Sequence, residues 1–430
     1  MKPNRKENPV AAELNIDNFD ISRLQPKQHT LKNGIQIDVF PSNAVEIMRL
    51  DFVFEAGKAY TDNPLAAIAT MALITEGTTH HTAKGIADFL NFRGITVERS
   101  TDSLNTCFTF YLQNKYLTEF LPLLQEIFCH CTFPENEYDI FIGKKRQELD
   151  KQLQKTSYQA SITCIEHIFG TENVFGRYLK PSHFDSISLD QVRDFYHKFY
   201  KWGNCKIFAA GNINQRQIEA FENTLGTLDC YEKNTIIEPQ TFANPPVKKH
   251  IAMRDAVQTS IRIGKIINTR WDSMEFAKLM VTNNLLGGYF GSRLMMNVRE
   301  DKGYCYGIYS TMQVERNAIY MLIATEVGSA VTNAAINEIF FEIKRLQTEP
   351  VGKDELQRSK NYLAGDFLRS VDGVYELLER DRTLHTTHSS DTFTKNLLKA
   401  IDETTADDII ALATKHFNTN DFVQITAGNI

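Results

Sequence analysis

The chain is written twice. Ala210-Gly211-Asn212-Ile213 recurs as Ala427-Gly428-Asn429-Ile430, an offset of 217 residues. Each copy follows a short apolar run, CKIFA from Cys205 and FVQIT from Phe422, of the kind that forms a strand. Each run follows a helical stretch ending in a similar cluster, His197-Lys198-Phe199 and Lys415-His416-Phe417. Asp190 and Asp408 stand nine residues before the phenylalanine of their own copy. Upstream the match is looser: Gly77 lies 17 residues before Gly94, and Gly287 lies 16 before Gly303, each pair bracketing a helix. A duplicated chain folds as two similar units, and 430 residues are in any case too many for one ordinary core.

The expected division is a first domain at residues 1–230, a connector at 231–249 and a second domain at 250–430. Asn244-Pro245-Pro246 breaks apolar periodicity in the connector. In the first unit, HTLKNGIQIDVF (His29 to Phe40) reads as a hairpin entry turning at Asn33-Gly34. VEIMRLDFVF (Val45 to Phe54) reads as a strand with one buried face. Helices are expected at Pro64 to Glu76, Thr82 to Phe92 and through Leu117 to Gln154, and two strands around a polar turn near Asp102. Strands mixed with helix pairs, without strict alternation, predict an α+β architecture with mostly antiparallel sheets flanked by helices.

The net charge of −6 argues against a nucleic-acid partner. No run approaches the roughly 18 apolar residues of a membrane span, and the first 28 residues carry no secretory signal and no readable role. Seven cysteines without a framework spacing suit a reducing compartment. The expectation is a soluble cytoplasmic protein.

Eleven histidines invite a metal search, but none forms His-x-x-x-His or His-x-x-Glu-His. His80-His81 reads as a solvated helix start, and Cys129-His130-Cys131 as a helix end without a second ligand pair. Glu166-His167 and His385-x-x-His388 read as surface or capping groups. No nucleophile elbow or phosphate loop is present. The segment from Leu285 to Ser310, LLGGYFGSRLMMNVREDKGYCYGIYS, is the more informative one. It reads as a glycine-loosened loop, a helix opening at Ser292, a turn at Gly303 and a tyrosine-rich strand. Leu294, Met295 and Val298 give the helix one buried face, and Arg299 suits its C-terminal end. Tyr304, Tyr306 and Ile308 alternate with Cys305 and Gly307 as in a two-faced strand. Arg299 and Tyr306 so placed could hold a peptide carbonyl; read from the residues alone, they are first a helix-end cation and a half-buried strand aromatic.

Gly287 to Ser310 resembles the second domain of insulinase/pitrilysin-type metallopeptidases, the inverzincins. LAAIATMALITEGTTHHTAKGIADFLNFRGITVERSTDSLNTCFTFYL resembles their helix, Gly-Thr, helix, hairpin order. HIFGTENVFGRYLKPSHFDSISLDQVRDFYHKFY is similar to their later helix-loop-helix. The resemblance runs from about His29 to Ile430 and implies two homologous domains forming a clamshell. Zinc-bearing members carry His-x-x-Glu-His about nine residues before the Gly-Thr pair, here Gly77-Thr78. Those positions hold Ile68, Met71 and Ala72, which can neither bind zinc nor activate its water. Glu148 lies near the family's distal glutamate ligand but stands alone, and its plain reading is a charged helix face.

The second-domain signature is kept: the family's arginine and tyrosine are seven residues apart, as are Arg299 and Tyr306. The resemblance implies that the arginine contacts substrate backbone and the tyrosine donates toward the scissile carbonyl. Comparable donors contribute about 3 kcal/mol. Gly287, Gly288 and Gly291 would let this wall approach a peptide closely. The expectation is a non-zinc subunit of a zinc metallopeptidase that binds no cofactor itself. A homologous partner would carry the zinc in a heterodimer, with the chain as a homodimer when alone. The alternatives are a structural or assembly subunit, a drift seen in the core subunits of the respiratory cytochrome complex, and a peptide-binding homodimer without hydrolysis.

Overall fold

In the computed structural model, residues 19–229, 236–239 and 244–429 are described. Most of the expected arm at 1–28, parts of the expected connector and Ile430 of the repeat lie outside them. Among these residues, eleven strands form two sheets. The first holds β1 (Lys27–Thr30), β2 (Gln36–Pro41), β3 (Ile47–Phe54), β4 (Thr96–Thr101), β5 (Thr106–Gln113) and β6 (Cys205–Gly211) in the order β1-β2-β6-β3-β5-β4. The second holds β7 (Lys248–Ala252), β8 (Gln258–Ile266), β9 (Cys305–Glu315), β10 (Ala318–Gly328) and β11 (Val423–Gly428) in the order β7-β11-β8-β10-β9. Apart from β1, one order maps onto the other strand for strand. Each sheet has a single parallel junction, β2 with β6 and β7 with β11, and is otherwise antiparallel. The α+β reading and the duplication both hold. β7 begins at Lys248, inside the last two positions of the stretch read as connector.

The helices repeat too. Leu189–Phe199 and Ala406–His416 are both eleven residues long, and each opens with a capping box, Ser188 with Gln191 and Thr405 with Asp408. Asn33-Gly34 makes the expected hairpin turn between β1 and β2, with Gly34 at φ +91°. Gly94 and Gly303 end corresponding helices at φ +62° and +65°, a left-handed conformation that favours glycine.

Each half buries part of the other. The helix Thr156–Phe169 of the first half packs on β8 and β11, and the helix Val374–Thr386 of the second packs on β2 and β6. Cys164, Ile168 and Phe169 thus share a core with Ile425 and Ala427, while Leu378 joins Phe40, Val53 and Phe208. This exchange corrects the reading of β3: from Met48 to Phe54 both of its faces are buried, not one. Its outward Arg49 and Asp51 are tolerated because they are paired. Arg49 bonds Asp51 at 2.7 and 2.9 Å and Glu379 at 2.6 Å, and Arg382 bonds Asp51 at 2.7 Å.

A second seam lies at the tip of the β9–β10 hairpin. Arg316 is fully buried and grips Glu55 of the first half at 2.7 and 3.1 Å, while its Nη1 also donates to the Ile237 carbonyl. Tyr60 donates to the same Glu55 carboxylate at 2.8 Å. Nearby, burial and the Asp102 charge push the Glu315 carboxyl up to about 7, against the pull of Lys58. No helix among the described residues is long and apolar enough to cross a membrane.

Candidate functional site

The region around Arg299 is built from the end of one helix, a short loop and a second helical segment laid on β9. Ser273 caps the helix Met274–Asn283, which runs on as a wider π turn through Asn284–Gly288. Asn283 is buried and bonds the Ser310 carbonyl at 3.0 Å, fixing the helix end to β9. Gly287 is buried at this contact. A Cβ there would come within 2.7 Å of the Ser310 backbone nitrogen, so the absent side chain serves close packing. Gly288 and Gly291 are exposed.

The helix expected to open at Ser292 is present, again largely with π geometry over Met295–Asp301, a form that often marks functional segments. Leu294 and Val298 are fully buried and Met295 half-buried, as their spacing predicts. Arg293 pairs with Glu355, and Asn297 donates to Glu338 and Glu342, which fixes this segment to its neighbours. Gly303 then turns the chain into β9.

Arg299 and Tyr306 are brought together. The Arg299 Nε donates to the Tyr306 carbonyl at 2.8 Å, its Nη1 pairs with Glu300, and its guanidinium lies 4.7 Å from the Phe290 ring centroid, a cation–π arrangement. Its Nη2 has no hydrogen-bond partner among the described residues. Tyr306 is 91% exposed, whereas Ile308, two residues on, is 1% exposed. The regular alternation read from Tyr304, Tyr306 and Ile308 therefore fails. Cys305 faces Val327 and Ile308 faces Thr325, so Tyr306 and Gly307 together oppose the single Glu326. This β-bulge turns Tyr306 away from the core that takes Ile308. An outward phenol and a free guanidinium nitrogen form a two-donor site suited to peptide carbonyls.

The helix Pro64–Leu73, capped by Asn63, carries the other sequence-derived positions. Ile68, Met71 and Ala72 are half-buried and share one face by their spacing. Ile68 packs with Leu65, Leu149 and Phe184, and Met71 with the core of the first half. Arg99 donates to the Ala72 carbonyl at 3.3 Å, so a cation occupies the end of this face. Glu148 is exposed and, among the described residues, bonds only Lys145, at 3.0 Å. Apolar side chains and a guanidinium do not fit zinc. Among the described residues no group of three or more His, Cys, Asp or Glu side chains is arranged to hold a metal ion. His80 and His81 converge on one carboxylate, Glu126, at 3.2 and 3.0 Å, which ties this corner together and uses one ring nitrogen of each.

Sequence reasoning missed the bulge, the Phe290 stack and the Arg316 seam. Only Phe290 had a signal, as an aromatic in an otherwise glycine-rich loop.

Two family profiles match the chain: one described as Insulinase (Peptidase family M16) over residues 54–167, and one described as Peptidase M16 inactive domain over residues 186–363. Together they cover well over half of it. A Bacillus subtilis protein named uncharacterized zinc protease YmxG is 22% identical over 364 residues, 83% of this chain and 87% of that one. A Helicobacter pylori protein named non-peptidase homolog YmxG is 22% identical over 328 residues, 74% of each chain. The crystal structure of a peptidase M16 inactive domain from Pseudomonas fluorescens aligns with a TM-score of 0.82 at 20% identity, covering 94% of this chain and 98% of that one. That of a Helicobacter pylori protease gives 0.82 at 14% identity, covering 94% and 100%. The structural likeness establishes a shared fold.

Proposed function

The chain belongs to the insulinase-type M16 peptidase family, and from that premise we propose that it is the non-zinc subunit of a zinc metallopeptidase. One observation supports the reading: the arginine–tyrosine pair of the second half stands together, while the helix face of the first half offers no metal ligand. Arg299 and Tyr306 stand together with an outward phenol and a free Nη2. The helix face that would hold metal presents Ile68, Met71 and Ala72. A homologous partner in a heterodimer would supply the zinc and the general base. This chain would contribute the Tyr306 hydroxyl as a donor to the reacting carbonyl, and Arg299 as a second donor to the substrate backbone. Donors fixed before the reaction stabilise the developing oxyanion without reorganising. Exposed Gly288 and Gly291 leave backbone open to an extended peptide. Seven cysteines without a framework spacing support a cytoplasmic setting.

The test is to mix the purified chain with a zinc-bearing homologue from the same organism and measure peptide cleavage. The wild-type chain is expected to raise activity. Arg299→Ala/Tyr306→Phe should lower kcat by about 10²–10³-fold, the usual effect of losing such a donor. Unchanged activity with the double variant, or no gain from the wild-type chain, sinks the proposal.

A second reading, a non-proteolytic assembly or peptide-binding subunit, is favoured by one detail. Arg299 spends Nε and Nη1 within its own chain. It predicts a stable complex that cleaves nothing.

A further inference from the structure

The aim of Tyr306 depends on a local defect in the β9–β10 ladder, and the residue holding that defect open lies on the other strand. In a regular antiparallel ladder Tyr306 would share a face with Ile308 and Ser310, both buried against the helices of the second half. The extra residue at Tyr306-Gly307 moves it to the opposite face. A bulge removes carbonyls from the ladder, and two side chains take them up. Arg299 Nε donates to the Tyr306 carbonyl at 2.8 Å. The Thr325 hydroxyl donates to the Gly307 carbonyl at 2.9 Å, and Thr325 is 1% exposed.

The first half provides an internal control. Its matching ladder, β4 with β5, runs in unbroken register from Thr96 opposite Tyr111 to Thr101 opposite Thr106. Counting from the equivalent left-handed glycines, Gly94 and Gly303, the positions of Arg299 and Tyr306 are filled there by Leu90 and Val97. Of these two ladders, only the one carrying the pair is bulged.

We infer that Thr325 is a positioning residue: its hydroxyl, together with Arg299, pins the bulge that presents the Tyr306 phenol. The geometric claim stands on this ladder alone; its catalytic consequence rests on the function proposed above. Arg299 correspondingly acts on the placement of Tyr306 as well as toward any bound peptide.

The experiment introduces 3-fluorotyrosine at position 306 of the full chain and records its fluorine resonance. Thr325→Val keeps the shape and removes the hydroxyl, and should shift or split the resonance. Thr325→Ser keeps the hydroxyl and should restore it, which separates positioning from a general loss of stability. In the mixture with the zinc-bearing homologue, Thr325→Val should lower kcat at least about tenfold with little change in KM, since small misplacements of a reacting group are costly. A resonance unchanged by Thr325→Val overturns the inference, whatever the mixture does. A moved resonance in a mixture that never cleaves peptide supports the positioning and removes the proposed function instead.

Discussion

The two halves share a strand order and a helix plan, yet they treat equivalent positions in opposite ways. The first half fills the positions of the arginine and tyrosine with Leu90 and Val97 on a straight ladder. The second half, counted back from Gly287 as the first is from Gly77, places Lys278, Val281 and Thr282 where the first has Ile68, Met71 and Ala72. Neither helix face offers zinc ligands, and Lys278 is committed to Asp408 at 2.9 Å. The arginine–tyrosine pair stands on one half only, together with a bulge that the matching ladder of the other half lacks.

The halves also differ in hairpin length. β9 and β10 have eleven residues each against six and eight for β4 and β5, and the added length carries Arg316 to Glu55. If the halves were two copies joined only by a connector, this contact would matter little. Arg316→Met is expected instead to cost about 3–5 kcal/mol, because Glu55 stays buried without its counter-charge. Adding Glu55→Met should recover most of the loss, since an apolar pair leaves no charge unpaired. Chemical denaturation of the wild type and these two variants measures both effects. A single-variant cost below about 1 kcal/mol would mean that the exchanged helices alone hold the halves together.

Gly287 sharpens the comparison at a smaller scale, because Gly77 stands at the same place in the repeat. A Cβ at Gly287 would meet Ser310, and one at Gly77 would meet the Pro134 ring, each at 2.7 Å. Shared need points to packing common to both halves rather than to contact with a peptide. Gly287→Ala should therefore lower the stability of the isolated chain by about 1–3 kcal/mol, the range for overfilling a tight site. An unchanged melting temperature with weakened peptide binding would return Gly287 to the substrate-contacting role expected from the resemblance.

These contrasts mark where the sequence was readable. The Ala-Gly-Asn-Ile repeat, the left-handed glycines at 94 and 303 and the Asn33-Gly34 turn were legible because each is a short-range backbone requirement. The proximity of Arg299 and Tyr306 was legible because one turn joins their elements. The aim of Tyr306 was not: in the sequence Tyr304, Tyr306 and Ile308 are spaced as on a regular strand, and the bulge that breaks this alternation is set by the partner strand through Glu326 and Thr325. The burial of Arg49 and Asp51 was hidden for a similar reason. Their cover, Glu379 and Arg382, arrives from a helix more than 300 residues away. Periodicity shows that a face is covered and does not say by what.

Glu148 gives the smallest effect and tests the plain reading of this position as a charged helix face. In a working site a distal carboxylate would be held by metal and by neighbours that orient it. Here it is exposed and, among the described residues, bonds only Lys145 one turn away on the same helix. Exposed pairs at this spacing contribute a few tenths of a kcal/mol at most, and less in salt. Glu148→Gln should therefore change the denaturation free energy by less than about 0.5 kcal/mol. Its effect should fade as ionic strength rises, and it should leave cleavage by the mixed subunits unchanged. A loss of cleavage or of complex formation with stability intact would assign Glu148 to the surface that meets the partner. The first half would then contribute to the assembly through its retained ligand position, and the two halves would be less unequal than their helix faces suggest.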